Sequence, residues 1–361
     1  MQLRRNVLIA VAIVLFIYFE IHSCSKDSVT APQPPVSKAQ SIICDANDVY
    51  FLNSRVGWVV GSYGTLIKTE DGGNTWKGQR IDDSRLTGVD FVDSYEGWAI
   101  GKDGAFYHTL DGGESWNQVV SQWLPSDEDF SKIVFMSDSI GFALGYKGVY
   151  RTMDRGSSWM NYWLPVVPYR GAWGMSFVDR NTGYLLGCRW LDSDPIIIYK
   201  TTDSAKNWAG VDGSRSSILR TIVTIHFVDE NVGWAGGGVV MKTIDGGMHW
   251  TTQVDPASVR DFFFWNEQKG FAVGGQRILY TEDGGNNWVD VAPQDDRIVD
   301  LRSVYFIDEN VGWITGHGKE EMIDGKTYKH SLVLKSSDGG QTWDLKDFLF
   351  DPSLVSSSES E

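Results

Sequence analysis

The sequence predicts an all-β protein, a seven-bladed β-propeller of four-stranded antiparallel blades. Three observations predict it. A box with Asp, then Trp five residues later, returns seven times. A second motif, Phe with Gly six residues later, precedes every box. The flanking segments follow a two-residue period, and no stretch sustains a helical one.

The box is clearest in "TEDGGNTW". Its aspartates are Asp71, Asp111, Asp154, Asp203, Asp245, Asp283 and Asp338, and its tryptophans are Trp76, Trp116, Trp159, Trp208, Trp250, Trp288 and Trp343. Thr stands two residues before each Asp, replaced by Ser336 in the last copy. The second motif runs from "FLNSRVGWVVG" to "FIDENVGWITG", with an aromatic residue beside the first Gly in every copy. Boxes are 38 to 55 residues apart, the size of one propeller blade. Within a blade, the innermost strand carries the Phe, because an apolar residue lies two positions earlier each time, from Val49 to Val304. The Gly-aromatic-x-x-Gly segment is the second strand, and segments such as "TLIKT" and "GVYRT" are the third. The Trp opens the outer strand. Closing seven such sheets into a ring removes the exposed edges that an open sheet would carry.

Composition narrows the function. The 361 residues include 39 Gly and 16 Trp, and the net charge of −15 argues against binding nucleic acid or an anionic membrane surface. "MQLRR" followed by the apolar run Val7 to Phe19 has the form of an export signal, too short for an ordinary membrane span. The following "IHSC" resembles the lipobox of bacterial lipoproteins, in which Cys24 would become the lipidated first residue; His22 and Glu20 depart from that pattern. An uncleaved N-terminal anchor is the alternative, and either one sends the rest of the chain out of the cytoplasm. The expected organisation is a signal peptide over 1–23, a lipidated Cys and tether over 24–44, the propeller over 45–350 and a disordered tail over 351–361. Cys44 and Cys188 fall on separate blades and are expected as unpaired, buried thiols.

Asp beside Gly-Gly invites a metal or phosphate reading. A calcium ion needs six to eight oxygens, and each box offers one or two carboxylates, so the boxes are read as structural turns. A short carboxylate can accept the amides of its own turn, and the Trp can bury its ring nearby. No metal site and no cofactor are expected.

The box is the Asp-box, or bacterial neuraminidase repeat. Joined to "FVDxxxGWxxG", it resembles the photosystem II stability/assembly factor-like propellers from about Val49 to Trp343. That resemblance implies a non-catalytic scaffold that binds protein partners, here at the cell envelope. Asp-box propellers also include sialidases and xyloglucanases, so a glycoside hydrolase or carbohydrate-binding propeller is the rival. The early Arg-Ile-Pro of sialidases is absent, and a glycosidase needs two facing carboxylates. The available acids are Asp192 and Asp194 in an insertion of blade 4, and Glu320, Glu321 and Asp324 in one of blade 7.

Two sets of residues point to binding. Arg85, Arg170, Arg220, Arg260 and Arg302 gather near the starts of the innermost strands, at offsets of four to seven residues from the Phe. They are candidates for a positive mouth that docks an acidic partner segment, the competing reading being local pairing with Asp90, Asp261 or Asp300. Trp123, Trp163, Trp173 and Trp190 stand outside the repeat positions, and Trp190 joins the arginines as a candidate contact. The expected state is a monomer held to the membrane only through its N-terminal lipid.

Overall fold

The computed structural model describes residues 43–162, 169–189, 197–211, 221–255, 257–323 and 325–350, with the side chains of 169–171, 188, 189 and 326 excepted. Seven four-stranded antiparallel sheets follow one another along the chain, and the described residues contain no α-helix. Blade 1 comprises Cys44–Phe51, Gly57–Ser62, Thr65–Thr69 and Lys77–Arg80. The inner strands of blades 2 to 7 are Leu86–Phe91, Phe130–Phe135, Tyr169–Phe177, Ile222–Phe227, Asp261–Phe264 and Ile298–Phe306. Every sheet is built from four consecutive strands, so the ring closes without exchanging a strand between the two ends of the chain.

Register explains the Phe–Gly spacing. Phe91 lies opposite Gly97 in the antiparallel pair, and its ring lies across the glycine. A methyl at Gly97 would come within 2.4 Å of that ring, and each of the other six blades repeats the arrangement. The Gly therefore clears a seat for the Phe. Replacing Gly97 by Ala is expected to destabilise the protein by about 1–3 kcal/mol through overpacking, measurable by urea unfolding.

Each seated Phe then joins two blades. Phe91 stacks on Trp58 of the preceding blade at 3.6 Å between centroids, and Trp116 of its own box meets it edge-on at 5.9 Å. The same trio recurs at every seam: Phe227 with Tyr184 and Trp250, Phe264 with Trp234 and Trp288, and Phe51 with Trp313 and Trp76 at the closing seam. Such contacts add to an already large apolar burial. The core is accordingly a series of clusters lying between blades.

Cys44 is a free, buried thiol at the start of blade 1, and burial pushes its pKa up to about 12. Cys188 lies in the second strand of blade 4, with its side chain outside the described residues. Residues 1–42 and 351–361, which hold the export signal, Cys24, most of the tether and the tail, also lie outside them.

Candidate functional site

The boxes lie between the third and outer strands and use their polar groups internally. Each Asp accepts the amide of the residue four positions on, at 2.8–2.9 Å in all seven copies. Its second oxygen accepts from that same residue's side chain at 2.6–2.7 Å, whether Thr, Ser, Asn or His. These donors hold the Asp71 and Asp111 carboxyls down at about 2. The carboxylates are saturated by their own turns. Among the described residues, no three His, Cys, Asp or Glu side chains gather as a metal would require.

The opposite end of each blade is different. Five inner strands carry a register shift that leaves unpaired the residue four positions before the Phe: Thr87, Ser131, Trp173, Val223 and Arg302. Asn47 falls within the shifted stretch of blade 1, and Arg260 holds the same position in blade 6. A bulge re-aims its side chain, and here these seven residues line the channel mouth. The outer cavity is about 440 Å³, narrowing to a channel of about 150 Å³.

Arg85, Arg260 and Arg302 converge on this mouth. Arg85 and Arg302 both donate to Asn47 Oδ1, at 3.1 and 3.0 Å, and Arg302 Nε donates to His317 Nδ1 at 3.1 Å. Asp300 pairs with both Arg260 (3.5 Å) and Arg302 (3.7 Å). Among the described residues Asp300 is thus the carboxylate ion-paired with these guanidiniums, while Asp48 and Asp261 line the adjoining channel, and half of the Arg260 side chain is exposed. Burial and the neighbouring Arg85 lower the pKa of Arg302, and burial with Arg302 lowers that of His317. Trp173, 40% exposed, lies beside them. Arg170 lies in the inner strand of blade 4 with its side chain outside the described residues, as Arg220, Trp163 and Trp190 are in full. Trp123 is 51% exposed in the loop after blade 2.

Asp90 and Asp261 do not pair with arginine among the described residues. Asp90 accepts the amides of Phe91 (2.8 Å) and Phe135 (2.6 Å), tying blade 2 to blade 3. Asp48 accepts the Val89 amide at 3.0 Å, and Asp261 accepts the Val304 amide at 3.2 Å. Ser303 donates toward both Asp48 (2.7 Å) and Asp261 (3.2 Å), and Lys132 lies 3.8 Å from Asp261. Desolvation raises the carboxyl of Asp48 to about 6 and that of Asp90 to about 7. The channel acids are thereby committed to neighbouring blades. In blade 7 the insertion extends the second and third strands into a long hairpin, where Glu320 lies 3.9 Å from Lys329 and Glu321 lies 3.4 Å from His330. Asp192, Asp194 and Asp324 lie outside the described residues.

Reading the arginines alone misses Asn47, which gathers two of them, and the shared offset of four residues that makes a ring of unlike side chains. That offset was the available signal. Trp265 is missing from the set of off-repeat tryptophans as well. It follows the repeat Phe, where the other six blades have Leu52, Val92, Met136, Val178, Val228 and Ile307.

Residues 38–163 match the family model described as photosynthesis system II assembly factor YCF48. The photosystem II assembly lipoprotein Ycf48 of Picosynechococcus is 29% identical over 293 residues, covering 75% of this chain and 81% of that protein. Among solved structures, YCF48 bound to D1 peptide superposes with a TM-score of 0.63 at 20% identity, covering 78% of this chain and 92% of the other. YCF48 from Cyanidioschyzon merolae gives 0.57 at 17% identity, covering 90% and 98%. The chain resembles these assembly factors in its repeats and shares the propeller fold.

Proposed function

We propose that this chain, which resembles the photosystem II assembly factor YCF48 in sequence and in fold, is a non-catalytic, protein-binding assembly scaffold. The observation that carries the reading is the convergence of Arg85, Arg260 and Arg302 on one mouth, where Asp300 is the carboxylate ion-paired with them among the described residues. Guanidiniums partly withdrawn from water recognise carboxylates by charge-assisted, bidentate bonds. The occupant is an acidic or carboxylate-bearing segment of a partner protein. A similar propeller bound to a D1 peptide supports peptide capture as the activity.

The relative named a lipoprotein supports anchoring through Cys24, which leaves residues 45–350 as the propeller on an exported, membrane-tethered, monomeric protein. The partner is then a protein of the cell envelope. Glycoside hydrolysis has one observation in its favour, the approach of Asp48 and Asp261 on Ser303. Against it, both acids accept amides of adjoining blades, and the channel there encloses only about 150 Å³.

The test is Arg85→Glu, Arg260→Glu and Arg302→Glu in one protein, titrated with a fluorescent hexapeptide of Asp and Glu. Affinity is expected to fall by about 100-fold, from roughly 1 kcal/mol for each lost ion contact, and wild-type binding should weaken as salt rises. Unchanged affinity would overturn the reading.

A further inference from the structure

The seam between blades 6 and 7 breaks a rule that the other six seams obey. The residue before the box Thr or Ser is Lys68, His108, Arg151, Lys200, Lys242 or Lys335 in six blades, and Tyr280 in blade 6. The basic side chains fill their seams. Lys68 reaches Glu114 of the next blade at 2.8 Å, Arg151 the carbonyl of Ser204 at 2.7 Å, Lys200 reaches Glu230 at 3.4 Å, and Lys242 the carbonyl of Gly284 at 2.9 Å. Lys335 lies 5.8 Å from the centroid of Trp313, on the side facing the blade 1 box. His108 stacks on Trp98 and pairs with Glu96, which also takes Arg155 from the box of blade 3.

Tyr280 cannot make that crossing. Its ring lies against Phe271 of its own blade at 4.9 Å, and its hydroxyl donates to Glu282 at 2.5 Å. A cleft of about 390 Å³ remains, lined by Trp265, Lys269, Tyr280, Glu282, Glu309 and Asp338, among others. Among the described residues Lys269 pairs with Glu282, at 3.7 Å, on its own blade. The two acceptor segments are nearly identical: "FVDENVGW" carries Glu230, which Lys200 pairs, and "FIDENVGW" carries Glu309 at the same place. Glu309 has no ion pair among the described residues. The cleft thus keeps the aromatic face and the acceptor carboxylate of an occupied seam, and its one lining lysine, Lys269, pairs with Glu282 rather than with Glu309. Trp265 widens the aromatic wall, edge-on to Phe271 and Phe306, with its indole N–H held by the Asp308 carbonyl at 3.2 Å.

We propose that this cleft is a docking socket for a lysine or arginine side chain of a protein partner, which supplies from outside the cation that the chain itself supplies at the other seams. An aromatic wall with a carboxylate beside it suits an ammonium or guanidinium. The socket is separate from the arginine mouth. Pairing of Asp261 with Val273, of Phe264 with Gly270, and of Gly270 with Thr281 puts Arg260 and Tyr280 at opposite ends of blade 6. The two sites take opposite charge and can fail independently.

The test follows the indole N–H resonance of Trp265 in the full-length protein, assigned with Trp265→Phe, during titration with acetyl-Lys-Lys-Lys-amide. A saturable shift is expected with this peptide and none with its Nε-acetylated form. Glu309→Gln should weaken binding about 5-fold, the size of one exposed ion contact. Tyr280→Lys, which refills the seam from within, should abolish the shift, while Tyr280→Phe should keep it. Thermal unfolding checks that each variant is folded; if Tyr280→Lys is not, Glu309→Lys takes its place. The proposal is overturned if the tripeptide produces no saturable shift. It is overturned equally if Glu309→Gln binds like wild type, or if Asp296→Asn, remote from the cleft, weakens binding as much.

Discussion

Replacing Trp313 by Ala is expected to cost about 3–5 kcal/mol, the usual range for removing a large buried aromatic side chain, read from the midpoint of urea unfolding. Trp313 is fully buried and lies flat on Phe51, with centroids 3.4 Å apart and planes 7° apart. This stack joins the last blade to the first. Because no strand is shared between them, side-chain packing and a few hydrogen bonds, such as Ser331 to the Ile43 carbonyl at 3.0 Å, hold the ring shut. Trp234→Ala removes the equivalent stack, on Phe264, where the chain is continuous, so its cost should be similar while its local consequence differs. In Trp313→Ala, amides of blade 1 should exchange faster with solvent than those of blade 4; in Trp234→Ala they should not. Trp313→Phe should cost less than Trp313→Ala, since it keeps a ring on Phe51 and the indole nitrogen makes no hydrogen bond among the described residues.

Stability should pass through a maximum near pH 4, falling on both sides for opposite reasons. The box carboxyls are held below their ordinary value by their own turns, Asp71 and Asp111 at about 2. The folded state binds these protons less readily than the unfolded chain does. Their contribution is present above pH 3.8 and lost as pH falls toward 2. All seven box aspartates shift in this direction, which makes the acid limb steep. Asp48 and Asp90 move the other way, to about 6 and about 7, because the channel desolvates them. There the folded state holds protons that the unfolded chain has released, so stability declines as pH rises from 4 through 7. Chemical denaturation from pH 2 to pH 9 checks both limbs. Buried His226, held down to about 3 from 6.5, opposes Asp48 and Asp90 over that rise, so the channel assignment is tested by Asp90→Asn, which should reduce the decline between pH 4 and pH 7; an unchanged decline would contradict it.

How far the sequence could be read depended on what each feature responds to. The box spacing, the Phe–Gly spacing and the aromatic after the Gly were legible because they are local. A turn saturates its own carboxylate, and a two-residue period fixes which face a side chain takes. The same repetition, seven times over, implied the ring. The mouth was only half legible. The arginines were visible as a cluster in the sequence, but their irregular offsets could not show which of them meet. Arg302 and Arg260 share the offset of Asn47 and Trp173, whereas Arg85 enters from two residues earlier.

By itself, the sequence determined the architecture: seven blades, four strands in each, and boxes that occupy corners rather than carry chemistry. Repetition makes such a conclusion robust, since one copy's ambiguity is resolved by six others. Tertiary structure decided everything that depends on neighbours from different blades. It committed Asp48, Asp90 and Asp261 to adjoining strands, gathered two arginines on Asn47, and left Glu309 without an ion pair among the described residues. The physical reason is that a blade folds on local pairing, while charge and burial at a seam or in the channel arise only when blades from distant parts of the chain are brought together.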